Sequence, residues 1–253
     1  MYFAVLTKKR IFKVTIFIFS LLLIFTFIGA GVKGVFGVGS RKIPIYRVQT
    51  EEKKIAISFD CAWGVDYTDE LLKVMQENSV ECTFFAVEFW VKKHPDYVKK
   101  IVEYGHEMGT HSATHPYMSK LDKNSVIKEL SSSTKAIEDI TGVKVELFRA
   151  PYGDYNDNLI NTATELKLYT IQWDVDSLDW KNLSASEITN RVVSRVKDGS
   201  IVLFHNQGLH TAEAIKSIIP NLKAKGFSFV KISELIYKDN YIILPDGSQK
   251  QNS

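Results

Sequence analysis

Between Lys54 and Val230, short apolar runs alternate with segments whose apolar residues recur every three or four positions. Ile55–Phe59, Thr83–Val87, Glu107–Thr110, Glu146–Arg149, Leu168–Trp173, Ser200–His205 and Phe227–Val230 have the length and β-branched or aromatic content of strands. Thr68–Glu77, Tyr97–Tyr104, Leu159–Leu166 and Thr211–Ala224 have helical spacing, and Pro220 is expected to kink or end the last. A longer helix starts near Asp122 or Asn124, either of which can cap it, with Val126, Leu130, Ile137 and Ile140 on one stripe. Ser184 and Glu187 have capping-box spacing for a helix through Val196. Strand and helix alternate about seven times, which predicts an α/β fold of mostly parallel strands, closed as a barrel or doubly wound.

Before this region, Val14–Val32 carries no charge over 19 residues. As a helix it would span about 28 Å, close to the hydrocarbon thickness of a bilayer. Residues 1–13 are basic and are expected in the cytoplasm, 14–32 in the membrane as a signal anchor or signal peptide, and the rest outside. Residues 33–52 read as a linker, 53–237 as the folded domain and 238–253 as a polar tail, frayed from 240 onward. The net charge of +3 reflects the N-terminus: less the five cations Lys8, Lys9, Arg10, Lys13 and Lys33, the remainder carries −2. No basic stripe remains for nucleic acid. A hydrophobic content of 45% suffices for one core. Cys61 ends one predicted strand and Cys82 starts the next parallel one, too far apart for a disulfide.

The candidate chemistry gathers where predicted strands end, the edge that carries active sites in such folds. Asp60 ends the first strand, His111 follows the third, Arg149 ends the fourth, Asp174, Asp176 and Asp179 follow the fifth, and His205 ends the sixth. His111 and His115, four apart, would face one way on a helical turn and could share a metal, or could be solvated or capping side chains. Arg149-Ala150-Pro151-Tyr152-Gly153 is a rigid strand exit that could present a backbone N–H to an oxyanion, or simply a turn.

Taken together, Phe59-Asp60-Cys61, His111 with His115-Pro116, Arg149 with Pro151-Tyr152-Gly153, Asp176 with Trp180, and Leu203 with His205 resemble, in order, the five motifs of the NodB-homology polysaccharide deacetylases, carbohydrate esterase family 4. The resemblance implies a distorted (β/α)7 barrel that removes N-acetyl groups from amino sugars of chitin-like or peptidoglycan polymers, with zinc or another divalent metal. It further implies that Asp60 is the general base toward a metal-bound water, with His111 and His115 as ligands. Tyr152 would stabilise the oxyanion through its backbone N–H and His205 would protonate the leaving amine. Arg149 would orient Asp60, Asp176 would tune His205, and Trp180 and Leu203 would hold the acetyl methyl. Trp63, Trp90 and Tyr152 are candidates for a sugar groove.

Where the family carries a second Asp as metal ligand, this chain has Cys61. Four readings stay open: a thiolate ligand, a weak site of two histidines and water, a glycan-binding protein without catalysis, or an inert buried cysteine. A metal-dependent hydrolase of a small amide is a further alternative. The segment Phe59-Asp60-Cys61-Ala62-Trp63-Gly64 and the anchored layout resemble the PdaB-type sporulation deacetylases, which implies a spore-envelope role with peptidoglycan as the polymer.

Overall fold

In a computed structural model of the chain, residues 41–252 are described, together with Phe12, Lys13, Thr15, Phe17 and Ile18. The proposed membrane segment 14–32 therefore falls almost wholly outside the described residues. Among the described residues, no helix is long and apolar enough to cross a membrane.

Eleven strands are described: β1 Arg47–Val48, β2 Lys54–Cys61, β3 Thr83–Ala86, β4 Glu107–Thr110, β5 Leu147–Phe148, β6 Tyr169–Thr170, β7 Val175–Asp176, β8 Ile201–His205, β9 Ser228–Phe229, β10 Tyr241–Ile243 and β11 Ser248–Gln251. The main sheet runs β6-β5-β4-β3-β2-β8-β7, with β9 also against β2. Its ladders are parallel. The sheet curls into a half-barrel, with its two edge strands β6 and β7 adjacent in sequence. β2 is central and buried from Ile55 to Cys61. Its alternation sends Ser58 and Asp60 to one face and Phe59 and Cys61 to the other, where they join Phe84, Phe204 and the helices in one apolar core.

The expected crossover helices form with ends shifted by at most about two residues, and a short helix, Glu88–Lys93, that spacing did not announce precedes Pro95–Glu103. Asp122, not Asn124, caps the helix Lys123–Thr141, its carboxylate accepting from Ser125 N–H, and Gly142 ends it in a left-handed conformation. The Ser184/Glu187 capping box is present. Pro220 does not end its helix, which runs over Thr211–Ala224, anchored by buried Ile215, Ile218, Ile219 and Leu222. The packing of that apolar face outweighs the one backbone hydrogen bond that proline forgoes.

Two stretches expected to be irregular are ordered. In the described part of the first, residues 41–52, Ile45 bridges Ile171 beside β6 and Arg47 bridges Ser200 just before β8. Of residues 240–253, expected to fray, Tyr241–Ile243 and Ser248–Gln251 instead form β10 and β11, which pair with each other, and β11 pairs with β1. The turn at Asp246-Gly247 makes this hairpin: Gly247 sits at φ 80°, and the Asp246 carboxylate accepts from Ser248 N–H and Oγ–H. Gln249 is buried and bonds both the N–H and the carbonyl of Tyr237.

Candidate active site

Strand register brings the site together. Asp60 lies opposite His205, Ser58 opposite Leu203, and Asp176 opposite Leu203 on the other side of β8. Thr110 lies opposite Phe148, so His111 and Arg149, one residue further on, leave neighbouring strands at the same edge. Asp60, Trp63, His111, His115, Tyr152, Asp176, Trp180, Leu203, His205 and Gln207 line one pocket of about 570 Å³.

Arg149 is fully buried beneath it. Its Nη1 donates to Asp60 Oδ1 at 2.8 Å, and its Nη2 donates to Ser58 Oγ at 2.8 Å and to the Gln172 carbonyl at 3.2 Å. Phe85 lies under the guanidinium, 4.1 Å from ring centroid to Cζ. Burial alone would raise the Asp60 pKa, but His111, Arg149 and His205 together hold it below the ordinary carboxylate value. Asp60 is therefore ionised, with Oδ2 3.5 Å from His111 Nε2.

His111 and His115 do meet, with ring centroids 5.0 Å apart, but not on a helical turn. The 111–115 segment is a loop in which Ser112 (φ 74°) and His115 (φ 59°) are left-handed. Glu129, on the helix behind, accepts from Ala113 N–H, Thr114 N–H and Thr114 Oγ–H and so fixes the loop. His111 Nδ1 pairs with the Arg149 carbonyl at 2.8 Å, which assigns its proton to Nδ1 and leaves a lone pair on Nε2. Burial pushes both imidazoles down, His115 to about 4, so both are neutral at pH 7. His115 Nδ1 is buried without a hydrogen-bond partner. Two neutral imidazoles, one with its tautomer held, fit a divalent metal.

Cys61 does not join them. Its side chain is buried in the outer apolar core, on the face of β2 opposite Asp60, and burial with the Asp60 charge raises its pKa well above the ordinary thiol value. Among the described residues, no three His, Cys, Asp or Glu side chains form a metal-holding group. Cys61 and Cys82 are both free thiols.

Asp179, rather than Asp176, holds His205. Asp179 Oδ1 lies 2.8 Å from His205 Nδ1, while Oδ2 accepts from His205 N–H and from Thr211 Oγ–H. Asp176 instead accepts from Leu178 N–H. Burial would depress His205, but the Asp179 hydrogen bond and charge, with Asp60 and Asp176 adding at a distance, raise it above the ordinary histidine value. Leu178 at φ 58° turns the chain so that Asp179 is buried and Trp180 is exposed. Asp174 is not at this edge: it accepts from Ser200 Oγ–H and Ile201 N–H at the opposite end of β8.

Tyr152 also has a left-handed backbone (φ 59°). The turn it occupies is closed by Gly153 N–H to Ala150 and Asp154 N–H to Pro151, which leaves the Tyr152 N–H outside those two bonds. Its ring packs edge-on against His115 and stacks on Tyr117. Leu203 is buried at the pocket floor and Trp180 exposed at its rim. Trp90 is not a groove residue: it is buried, its indole N–H donating to the Gly64 carbonyl.

The family model for polysaccharide deacetylase matches residues 47–171. A peptidoglycan-N-acetylglucosamine deacetylase of Bacillus cereus is 35% identical over 196 residues, covering 76% of this chain and 92% of that protein. The uncharacterised protein YlxY of Bacillus subtilis is 34% identical over 193 residues, covering 76% of this chain, which spans only 60% of YlxY. The crystal structure of BA3943, described as a carbohydrate esterase family 4 pseudoenzyme from Bacillus anthracis, is 32% identical, with a TM-score of 0.75 over 83% of this chain and 73% of that one.

Proposed function

Since this chain belongs to the polysaccharide deacetylase family, carbohydrate esterase family 4, we propose that it hydrolyses N-acetyl groups from the amino sugars of a cell-wall polysaccharide, with peptidoglycan as its substrate. The observation that carries the reading is the pairing, in one pocket, of an ionised carboxylate, Asp60, with an imidazole, His205, that buried Asp179 anchors and whose proton affinity it raises. Amide hydrolysis needs both: a base for the attacking water and an acid for an amine that leaves poorly as its anion.

Asp60, fixed by Arg149, takes a proton from water as it attacks the acetamide carbon. The Tyr152 N–H meets the developing oxyanion. His205 then gives its proton to the sugar nitrogen as the carbon–nitrogen bond breaks, releasing acetate and a free amine. Leu203 and Trp180 enclose the acetyl methyl. The family is generally metal-dependent, and a divalent metal, zinc in our reading, would be held by His111 and His115 and would polarise the carbonyl. The same reading tethers the domain outside the cell through 14–32, or releases it if that segment is cleaved, and gives it a spore-envelope role.

A second reading is a glycan-binding protein without catalysis. It is favoured by the turn of Cys61 away from the histidines and by the likeness to the Bacillus anthracis pseudoenzyme. Mass spectrometry of peptidoglycan fragments and N-acetylglucosamine oligomers separates the two, with the full chain in detergent, stripped of metal and then supplied with zinc. Zinc-dependent loss of acetyl groups is expected. Unchanged mass in a folded protein that retains glycan would establish the second reading.

A further inference from the structure

We propose that Trp63 and Gln207 form a sugar-binding subsite beside the acetyl pocket, taking the pyranose next to the one being deacetylated. The proposal rests on reading the pocket as a glycan site, and it makes the substrate a polymer rather than a single sugar.

Trp63 follows β2 by two residues, lines the same pocket as Asp60 and His205, and is 66% exposed. Trp180 and Tyr152 are likewise exposed around this pocket, so its mouth presents a band of aromatic surface to whatever it binds. The surrounding chain holds it there. The Gly64 carbonyl accepts from both Trp90 Nε1 at 2.6 Å and Asn206 Nδ2 at 3.0 Å, tying the Trp63 loop to the core and to the loop after β8. Gly64 is left-handed at φ 52°, and a Cβ there would lie 1.7 Å from Gln207 Nε2, so the Gln207 amide packs directly on the residue after Trp63. Gln207 Nε2 in turn donates to Asp66 Oδ2 at 2.6 Å. The indole makes a tilted contact with Phe89, at a centroid distance of 5.2 Å.

A fixed, exposed indole beside a primary amide suits a pyranose. The C–H face of the sugar stacks on the ring, and the Gln207 carbonyl oxygen can accept from a hydroxyl while Nε2 is engaged. Sheet order places this subsite apart from the acetyl end. Trp63 follows β2 and Trp180 follows β7, on opposite sides of β8, which carries His205. A glycan seated between the two indoles would cross the reacting groups.

The test measures Kd, by calorimetry on the full chain in detergent, for N-acetylglucosamine and for its tetramer, with wild type, W63A, W63F and Q207A. W63A should weaken the tetramer about tenfold, the worth of one lost sugar–aromatic stack, and the single sugar by less than about twofold, although the indole also faces His115 edge-on. W63F should recover most of the loss, Q207A should weaken the tetramer alone, and no variant should shift the thermal midpoint. Equal tetramer affinity in W63A and wild type would overturn the subsite. Equal loss for both ligands would also overturn it, by placing Trp63 in the acetyl pocket, as would a wild type that binds neither. Tetramer binding lost in W63A, but without acetate release by wild type, would refute the deacetylase reading and leave the subsite standing.

Discussion

Asp179→Asn separates the two aspartates that compete for His205. Asp179 is buried and accepts three hydrogen bonds, two of them from His205. Asparagine keeps the shape and one oxygen, which can still accept from His205 N–H and Thr211 Oγ–H. Its NH2 group would then face His205 Nδ1 and disfavour a proton there. One buried bond of three is lost, a cost of about 1–3 kcal/mol. The catalytic cost is larger, because general acid catalysis contributes about 10²–10⁴-fold and the protonated form of His205 is what Asp179 supports. The pH profile gives the sharper readout. His205 acts while protonated, so activity falls as pH rises through its pKa, which Asp179 holds above the ordinary value. In Asp179→Asn that alkaline limb should move toward lower pH, with kcat down about 10²–10⁴-fold. Asp176→Asn, which leaves the His205 hydrogen bonds intact, should cost less than about tenfold. The assay is acetate release from peptidoglycan fragments against pH, with a denaturant midpoint to verify folding. An unmoved alkaline limb in Asp179→Asn, or an equal loss in Asp176→Asn, would refute the assignment.

Other outcomes follow from single side chains. Arg149→Met should destabilise the protein by about 3–5 kcal/mol in urea titration, because it strands the buried Asp60 carboxylate; a loss under 1 kcal/mol would count against the buried pair. His106 is buried, accepts from Cys82 N–H, and is pushed down to about 4. Its unfolded form binds a proton near 6.5, so stability should fall by about 3 kcal/mol as pH drops from 6.5 to 4. His106→Gln should flatten that slope, and an unchanged slope would show that other groups set it. Cys61→Ala should leave zinc content within about twofold, since the thiol is turned away from the histidines; zinc loss in a folded variant would make Cys61 a ligand.

Much of the site was legible in sequence because strand geometry repeats every two residues. With Asp60 facing the pocket, strand alternation turns Cys61 toward the helices, which selects the inert buried cysteine over the thiolate ligand among the four readings left open for it, and parallel register sets His205 beside Asp60. The choice among Asp174, Asp176 and Asp179 was not legible. It depends on Leu178 adopting a left-handed backbone, which nothing about leucine announces. The bend of the histidine loop is equally a tertiary effect, fixed by Glu129 from the helix that follows. Pro220 shows local propensity yielding to packing. The terminal hairpin was different: Pro245-Asp246-Gly247 carries a turn signal, obscured by the polar residues around it. Ile43 and Ile45 likewise hinted at the segment that lies along β6.

The central claim is that Asp60 activates water for amide hydrolysis. The direct measurement is acetate released from N-acetylglucosamine tetramer by zinc-loaded wild type and by Asp60→Asn, with circular dichroism of both. The account predicts steady release by wild type and a loss of at least about a hundredfold in a folded Asp60→Asn. Equal release by the two proteins would contradict it.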